Sequence, residues 1–181
     1  MKKIKIKYLV LVLAICTIYS CDKIKELATV SINTKLETQF PVVVSPTGFN
    51  SDLTKSSGIS FNEVSEIKIA DNIDLEPYLN KIKTINLSNL EIVVNGLQTN
   101  QIIHSITLEI NDFGVIATVA NITQFNNSYK PAISSLLIDK VAETLLKEKK
   151  ITVKVYGSVS SPLVVTVDIK MDAKVVAYVL K

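Results

Sequence analysis

The sequence predicts a mainly β chain: an antiparallel β-sandwich of about seven to nine strands, with one amphipathic helix at about 132–149 and one short helix at about 74–82. Three observations predict it. Apolar and polar residues alternate with a period of two over most of the chain from residue 28 onward, the signature of strands with one buried face. Turn-forming clusters interrupt that alternation at intervals. Only one segment, near the C-terminal third, carries apolar residues at sustained helical spacing.

The chain opens differently. Lys2, Lys3, Lys5 and Lys7 precede an apolar run of about eleven residues, Tyr8 to Ile18, followed by Tyr19, Ser20 and Cys21. A spanning helix needs roughly 20 mostly apolar residues, about twice this run. A basic start, a short apolar core and a small residue before the cysteine describe a leader that is removed. Ile18-Tyr19-Ser20-Cys21 resembles the bacterial lipobox. That resemblance implies a lipoprotein: the Cys21 thiol takes a diacylglycerol, the bond before it is cut, and the freed amine takes an acyl chain such as palmitate. Residues 1–20 are then the leader, 21–28 the lipidated cysteine with a short tether, and 29–181 a single β-rich domain. Asp22 to Ala28 reaches only about 25 Å when extended at ~3.4 Å per residue. The expectation is a domain held beside a membrane, on the non-cytoplasmic side of a bacterial envelope.

Val30, Ile32, Thr34, Leu36 and Thr38 alternate with polar residues and open the first strand. Phe40 to Val44 continues it, with Pro41 marking an edge or a bulge because it cannot donate to a ladder. Residues 45–60 gather Pro46, Gly48, Asn50, Asp52 and Gly58 into a long loop. Val64 to Ile69 reads as a strand. Leu75, Leu79 and Ile82 then fall at helical spacing behind Asp74 as N-cap, the short helix. Ile85 and Leu87, then Leu90, Ile92 and Val94, form a strand whose phase slips at Ser88-Asn89, the mark of a bulge. Asn95-Gly96 is a hairpin signal, with Ile102 to Ile110 as the returning strand. Asn111 to Gly114 turns into Val115 to Ala120.

Ile133, Leu137, Val141 and Leu145 make the helical stripe, widened by Leu136, Ile138 and Ala142. Lys147, Lys149 and Lys150 stand near the negative end of the dipole. Ile151, Val153, Val155 and Gly157 alternate with polar partners, and after Ser158 to Pro162 a matching strand runs from Leu163 to Met171, as a neighbour. Asp172-Ala173 reads as a turn before a final strand, 174–180. Tyr78-Leu79-Asn80-Lys81-Ile82-Lys83-Thr84-Ile85 and Ile151-Thr152-Val153-Lys154-Val155-Tyr156-Gly157, either side of a helix, resemble the late-embryogenesis-abundant type-2 class of sandwich domains. The asparagine-proline signature of that class is missing from the first strand pair. The resemblance implies membrane-proximal or protective work without catalytic residues.

Composition excludes several functions. Without the leader's four lysines, 16 lysines face 17 acidic residues, a net charge of −1, and no arginine is present. Arginine is the usual bidentate reader of phosphate and guanine, so no nucleic-acid partner is expected. Cys16 lies in the leader and Cys21 is the lipid site, leaving the mature chain without a thiol. His104, the single histidine, shares parity with Ile106 and Leu108, which predicts a structural, hydrogen-bonded residue on the apolar face. No Gly-x-Ser-x-Gly elbow exists to build a triad around it.

Asp71, Asp74 and Glu76 are read as capping residues rather than a calcium loop, since the glycine and distant glutamate of an EF-hand are missing. The acid pairs Glu63 with Glu66 and Asp139 with Glu143 read as surface. No catalytic, metal or cofactor-binding residue is therefore assigned. The expected function is a lipid-anchored, non-enzymatic envelope binding or adaptor protein, holding an envelope protein or polymer. The alternative is a carrier of a lipid or other apolar ligand.

Overall fold

A computed structural model describes residues 28–45 and 58–179. Cys21, the expected leader and most of the predicted 45–60 loop lie outside the described residues. Among the described residues, eight strands and one α-helix make up the fold. They are β1 (Thr29–Val44), β2 (Ile59–Lys68), β3 (Ile82–Asn95), β4 (Ile103–Ile110), β5 (Gly114–Ile122), β6 (Ser128–Tyr129), β7 (Lys150–Val159) and β8 (Leu163–Tyr178). The helix α1 (Ser135–Glu148) lies between β6 and β7.

The strands form two antiparallel four-stranded sheets, in the orders β1-β8-β3-β6 and β2-β7-β4-β5. Successive strands therefore cross between sheets, except for the β4–β5 hairpin. That strand order is the double-sheet jelly roll, a subclass of the predicted sandwich. The alternation explains which faces meet. Phe40 and Val42 of β1, Val167 and Ile169 of β8, and Ile92 of β3 point inward from the first sheet and are buried. Phe61 and Ile67 of β2, Val153 and Val155 of β7, and Ile106 and Leu108 of β4 meet them from the second.

Pro41 lies on β1, an edge strand, opposite Thr166 in an unbroken register, so it needs no bulge. The predicted slip at Ser88-Asn89 is real: the β3–β8 register shifts between Ser88 and Leu90, and Asn89 takes φ 49°. β2 starts at Ile59, five residues earlier than its apolar pattern announces.

Several expectations change. Asn95-Gly96 is no hairpin: β3 and β4 lie in different sheets, and Gly96, at φ 94°, turns the chain from one to the other. β7 and β8 likewise belong to opposite sheets and are not neighbours. Asp172-Ala173 is no turn, because the inward parity of β8 runs unbroken through Met171, Ala173, Val175 and Ala177, all buried. The short helix contracts to one 3-10 turn at Glu76–Tyr78 with Pro77 in its first positions. Nearby, a second 3-10 turn occupies Ile69–Asp71.

Helix α1 is tighter than 132–149. Ser134 caps it, its hydroxyl accepting from the Leu137 N–H at 3.3 Å, and Lys149 ends it in the left-handed region at φ 64°. Val141, Ala142 and Leu145 are its buried face. Leu136, predicted to widen the stripe, is 66 % exposed.

Candidate functional site

Because these crossovers join one sheet to the other, the connections 96–102, 123–127 and 160–162 gather at one end of the sandwich. The register places them there. Val44 lies opposite Leu163, while Ile59 and Ile103 both lie opposite Val159, and Ile103 lies opposite Ile122. The start of β1, opposite the end of β8, sits at the other pole.

These three connections are tied together. The Ser160 N–H donates to the Ile102 carbonyl at 2.9 Å, and the Ile102 N–H donates to the Ser160 hydroxyl at 3.1 Å. Gln101 spends both ends of its amide on structure: Nε2 donates to the Pro162 carbonyl at 3.1 Å, and Oε1 accepts from the Gln98 N–H at 3.0 Å. The Thr99 hydroxyl reaches Gln124 Oε1 at 3.0 Å, joining the β3–β4 crossover to the β5–β6 crossover.

The second crossover is a tight turn. Thr123 and Asn126 exchange backbone hydrogen bonds at 3.2 Å, and the Tyr129 hydroxyl donates to the Asn126 carbonyl at 2.7 Å. Burial pushes the Tyr129 pKa up, so the hydroxyl keeps its proton over the ordinary pH range. Asn127 is held at both ends of its residue, its carbonyl accepting from the Val94 N–H at 2.8 Å and its Nδ2 donating to the Val94 carbonyl at 3.0 Å. On the tip of this turn Phe125 is 87 % exposed. Between the two crossovers lies a cleft of about 220 Å³, with Gln98, Asn100, Gln124 and Phe125 on its walls and no charged residue lining it among the described residues.

The residues singled out in the sequence are not brought together at this end. His104 is exposed, not on the apolar face, because the β4–β7 register shifts between Ile103 and Ser105 and turns it outward. Asp74 does not cap a helix; its carboxylate accepts from the Thr34 hydroxyl at 2.8 Å, while Asn72 Oδ1 accepts from the Asp74 N–H at 3.1 Å. Asp71 and Glu76 sit exposed in the two 3-10 turns. Glu66 separates from its sequence partner Glu63 by pairing with Lys150 at 2.6 Å and Lys68 at 3.1 Å. The Lys150 ammonium, and then that of Lys68, hold the Glu66 carboxyl below the usual carboxylate value. Asp139 and Glu143 are exposed on α1.

Further spaces exist among the described residues. Beneath α1, Leu90, Ile110, Ile138 and Val141 border an apolar space of about 10 Å³, on the scale of one water. On the far half of the molecule a polar cleft of about 530 Å³ carries Lys35, Asp74, Asp172 and Lys174. No group of three potential metal ligands occurs among the described residues, and none of their helices is long and apolar enough to cross a membrane.

The amides and Phe125 are the residues that the sequence reading passed over. Their signal was present as a run of uncharged amides in two separate turns, Gln98 to Gln101 and Gln124 to Asn127. What hid it was the hairpin reading of Asn95-Gly96, which kept the two turns apart.

No family model matches the chain, and no curated protein matches it. Among solved structures it is similar to the decameric BFDV capsid protein, at 11 % identity and TM-score 0.42, covering 82 % of this chain and 99 % of that one. It is also similar to Desmodium yellow mottle tymovirus, at 10 % identity and TM-score 0.32, with 84 % and 91 % covered. A third likeness, to the infectious bursal disease virus Gt strain, has 12 % identity and TM-score 0.30, with 82 % and 33 % covered. These distant likenesses carry no inference about activity.

Proposed function

We infer that this chain is a lipid-anchored, non-enzymatic binding or adaptor protein of the bacterial cell envelope, with the crossover end of its jelly roll as the binding surface. Polarity carries the reading. β1 begins at Thr29, only eight residues after Cys21, and its 16 residues run from the tether pole to the crossover pole. At ~3.3 Å per residue that strand alone spans about 50 Å. A domain anchored through Cys21 would thus hold its crossover loops away from the membrane, facing whatever the envelope offers.

The lipobox likeness of Ile18 to Cys21 supports the anchor, and two acyl chains or more give lasting membrane attachment at about 0.8 kcal/mol per buried methylene. An apolar-ligand carrier is the weaker reading, since the space under α1, about 10 Å³, is far below the ~300–1,000 Å³ of ordinary ligand pockets. Cys21→Ala tests the anchor. The wild-type chain is expected in the membrane fraction and to label with palmitate, whereas the variant is expected to lose the label and partition to the soluble fraction. A variant that stays in the membrane sinks the anchoring assignment.

A further inference from the structure

The geometry points to a saccharide site: the cleft between the β3–β4 and β5–β6 crossovers binds a neutral sugar unit, with Phe125 as the stacking platform and Gln98, Asn100 and Gln124 as hydroxyl ligands. This assignment rests on the reading of the crossover end as the binding surface and gives it a ligand class.

Charge is the first argument. About one residue in five of the chain is charged, yet none of those lining this cleft is. Among the described residues, an anionic or cationic ligand would find no counter-charge in that lining. What the lining offers instead is amides. A carboxamide presents a donor and an acceptor side by side, which matches two adjacent hydroxyls, each both donor and acceptor. Gln101 is committed to scaffolding, and Gln124 has given only its Oε1, to Thr99. Gln124 Nε2 and the amides of Gln98 and Asn100 make no side-chain hydrogen bond among the described residues and remain for a ligand.

Phe125 is the second argument. The π-face of an aromatic ring is negative and accepts the polarised C–H face of a pyranose. At 87 % exposure, Phe125 contributes little to the core. Its turn is nonetheless pinned through Thr123, Asn126, Asn127 and Tyr129. An exposed aromatic on a pinned turn is costly in water and useful on contact, because the backbone that carries it has little ordering entropy left to lose on binding. The volume of about 220 Å³ suits one ring of a polymer rather than a drug-sized ligand.

The test is depletion of the full chain onto insoluble starch, cellulose, xylan and mannan, in a zwitterionic detergent so that no glycoside headgroup competes. Alginate beads serve as the anionic control. Binding to at least one neutral polysaccharide is expected, displaced by its free oligosaccharide and absent on alginate. Phe125→Ala should weaken that binding about ten-fold or more, Gln124→Ala several-fold, and Phe125→Tyr should retain it. Ile73→Ala, 82 % exposed at the other pole, is the control expected to bind as wild type. Binding to none of the neutral polymers overturns the assignment, as does binding that survives both Phe125→Ala and Gln124→Ala, or displacement by a peptide or by alginate alone. If no sugar binds while the chain still captures a saturable envelope protein, only the saccharide assignment falls.

Discussion

At the scale of single residues, close approach of two backbones decides what can stand at position 157. Gly157 on β7 faces Ile106 on β4, and a Cβ there would run into the Ser105 carbonyl oxygen and meet the Phe61 ring at 2.9 Å. Backbone cannot swing aside as a side chain can. Gly157→Ala is therefore expected to destabilise by about 3 kcal/mol, the upper range of overpacking, read as a lower denaturant midpoint with an unchanged slope. An unshifted midpoint would mean that β4 and β7 lie farther apart there. The sequence placed Gly157 in the inward phase of its strand, but nothing local announced that a second backbone occupies its side-chain space. His104 gives the same lesson from the other direction. Parity put it on the buried face, and a one-residue register shift beside Ile103 put it in solvent.

At the scale of elements, the ion pairs sit where strands need pinning. Glu66 on β2 reaches Lys150 at the start of β7, fixing the register of an edge strand just after the helix. Its depressed carboxyl pKa sets the sign of the pH effect. The folded state favours the charged form, so the contribution is present above the ordinary carboxylate value, about 4.5, and is lost as pH falls through the lower folded value. Wild type should therefore unfold at higher denaturant than Glu66→Gln at neutral pH, and the gap should close on acidification below about pH 4.5 or in ~0.5 M salt. A gap that persists in acid would show that the effect is not the carboxylate's charge. The elements themselves were legible wherever one rule governed: the alternation of β1, the phase slip of β3 and the stripe of α1 all appear in the structure. They blurred where a turn signal stood inside a longer pattern. Asp172 looks like a break, yet it faces outward beside Lys35 and Asn89, while the inward phase passes beneath it.

At the scale of the whole molecule, strand order was the unreadable part. Each strand knows its faces from its own sequence, but which strand lies beside it is decided by pairings far apart in the chain. β1 and β8 pair over sixteen positions, Thr29 with Tyr178 through to Val44 with Leu163, although more than a hundred residues separate them. The candidate site inherits this opacity, since its two turns meet only because β3 and β5 both cross between sheets at the same pole. Termination of the chain after Pro162 removes the strand that lies between β1 and β3, so such a chain is expected to lack cooperative unfolding and to be cut rapidly by protease. Resistance of the truncated chain would show that the other sheet and α1 suffice.

That central position of β8 also sets a timetable. Among the described strands β1 precedes all others and its partner β8 follows them, so the hydrophobic face of β1 has no sheet to join until β8 has been made. Closing so long a loop is slow compared with local pairing. The sheet β1-β8-β3-β6 therefore cannot close until β8 has been made. The strand order thus makes completion of one whole sheet wait on a single late segment.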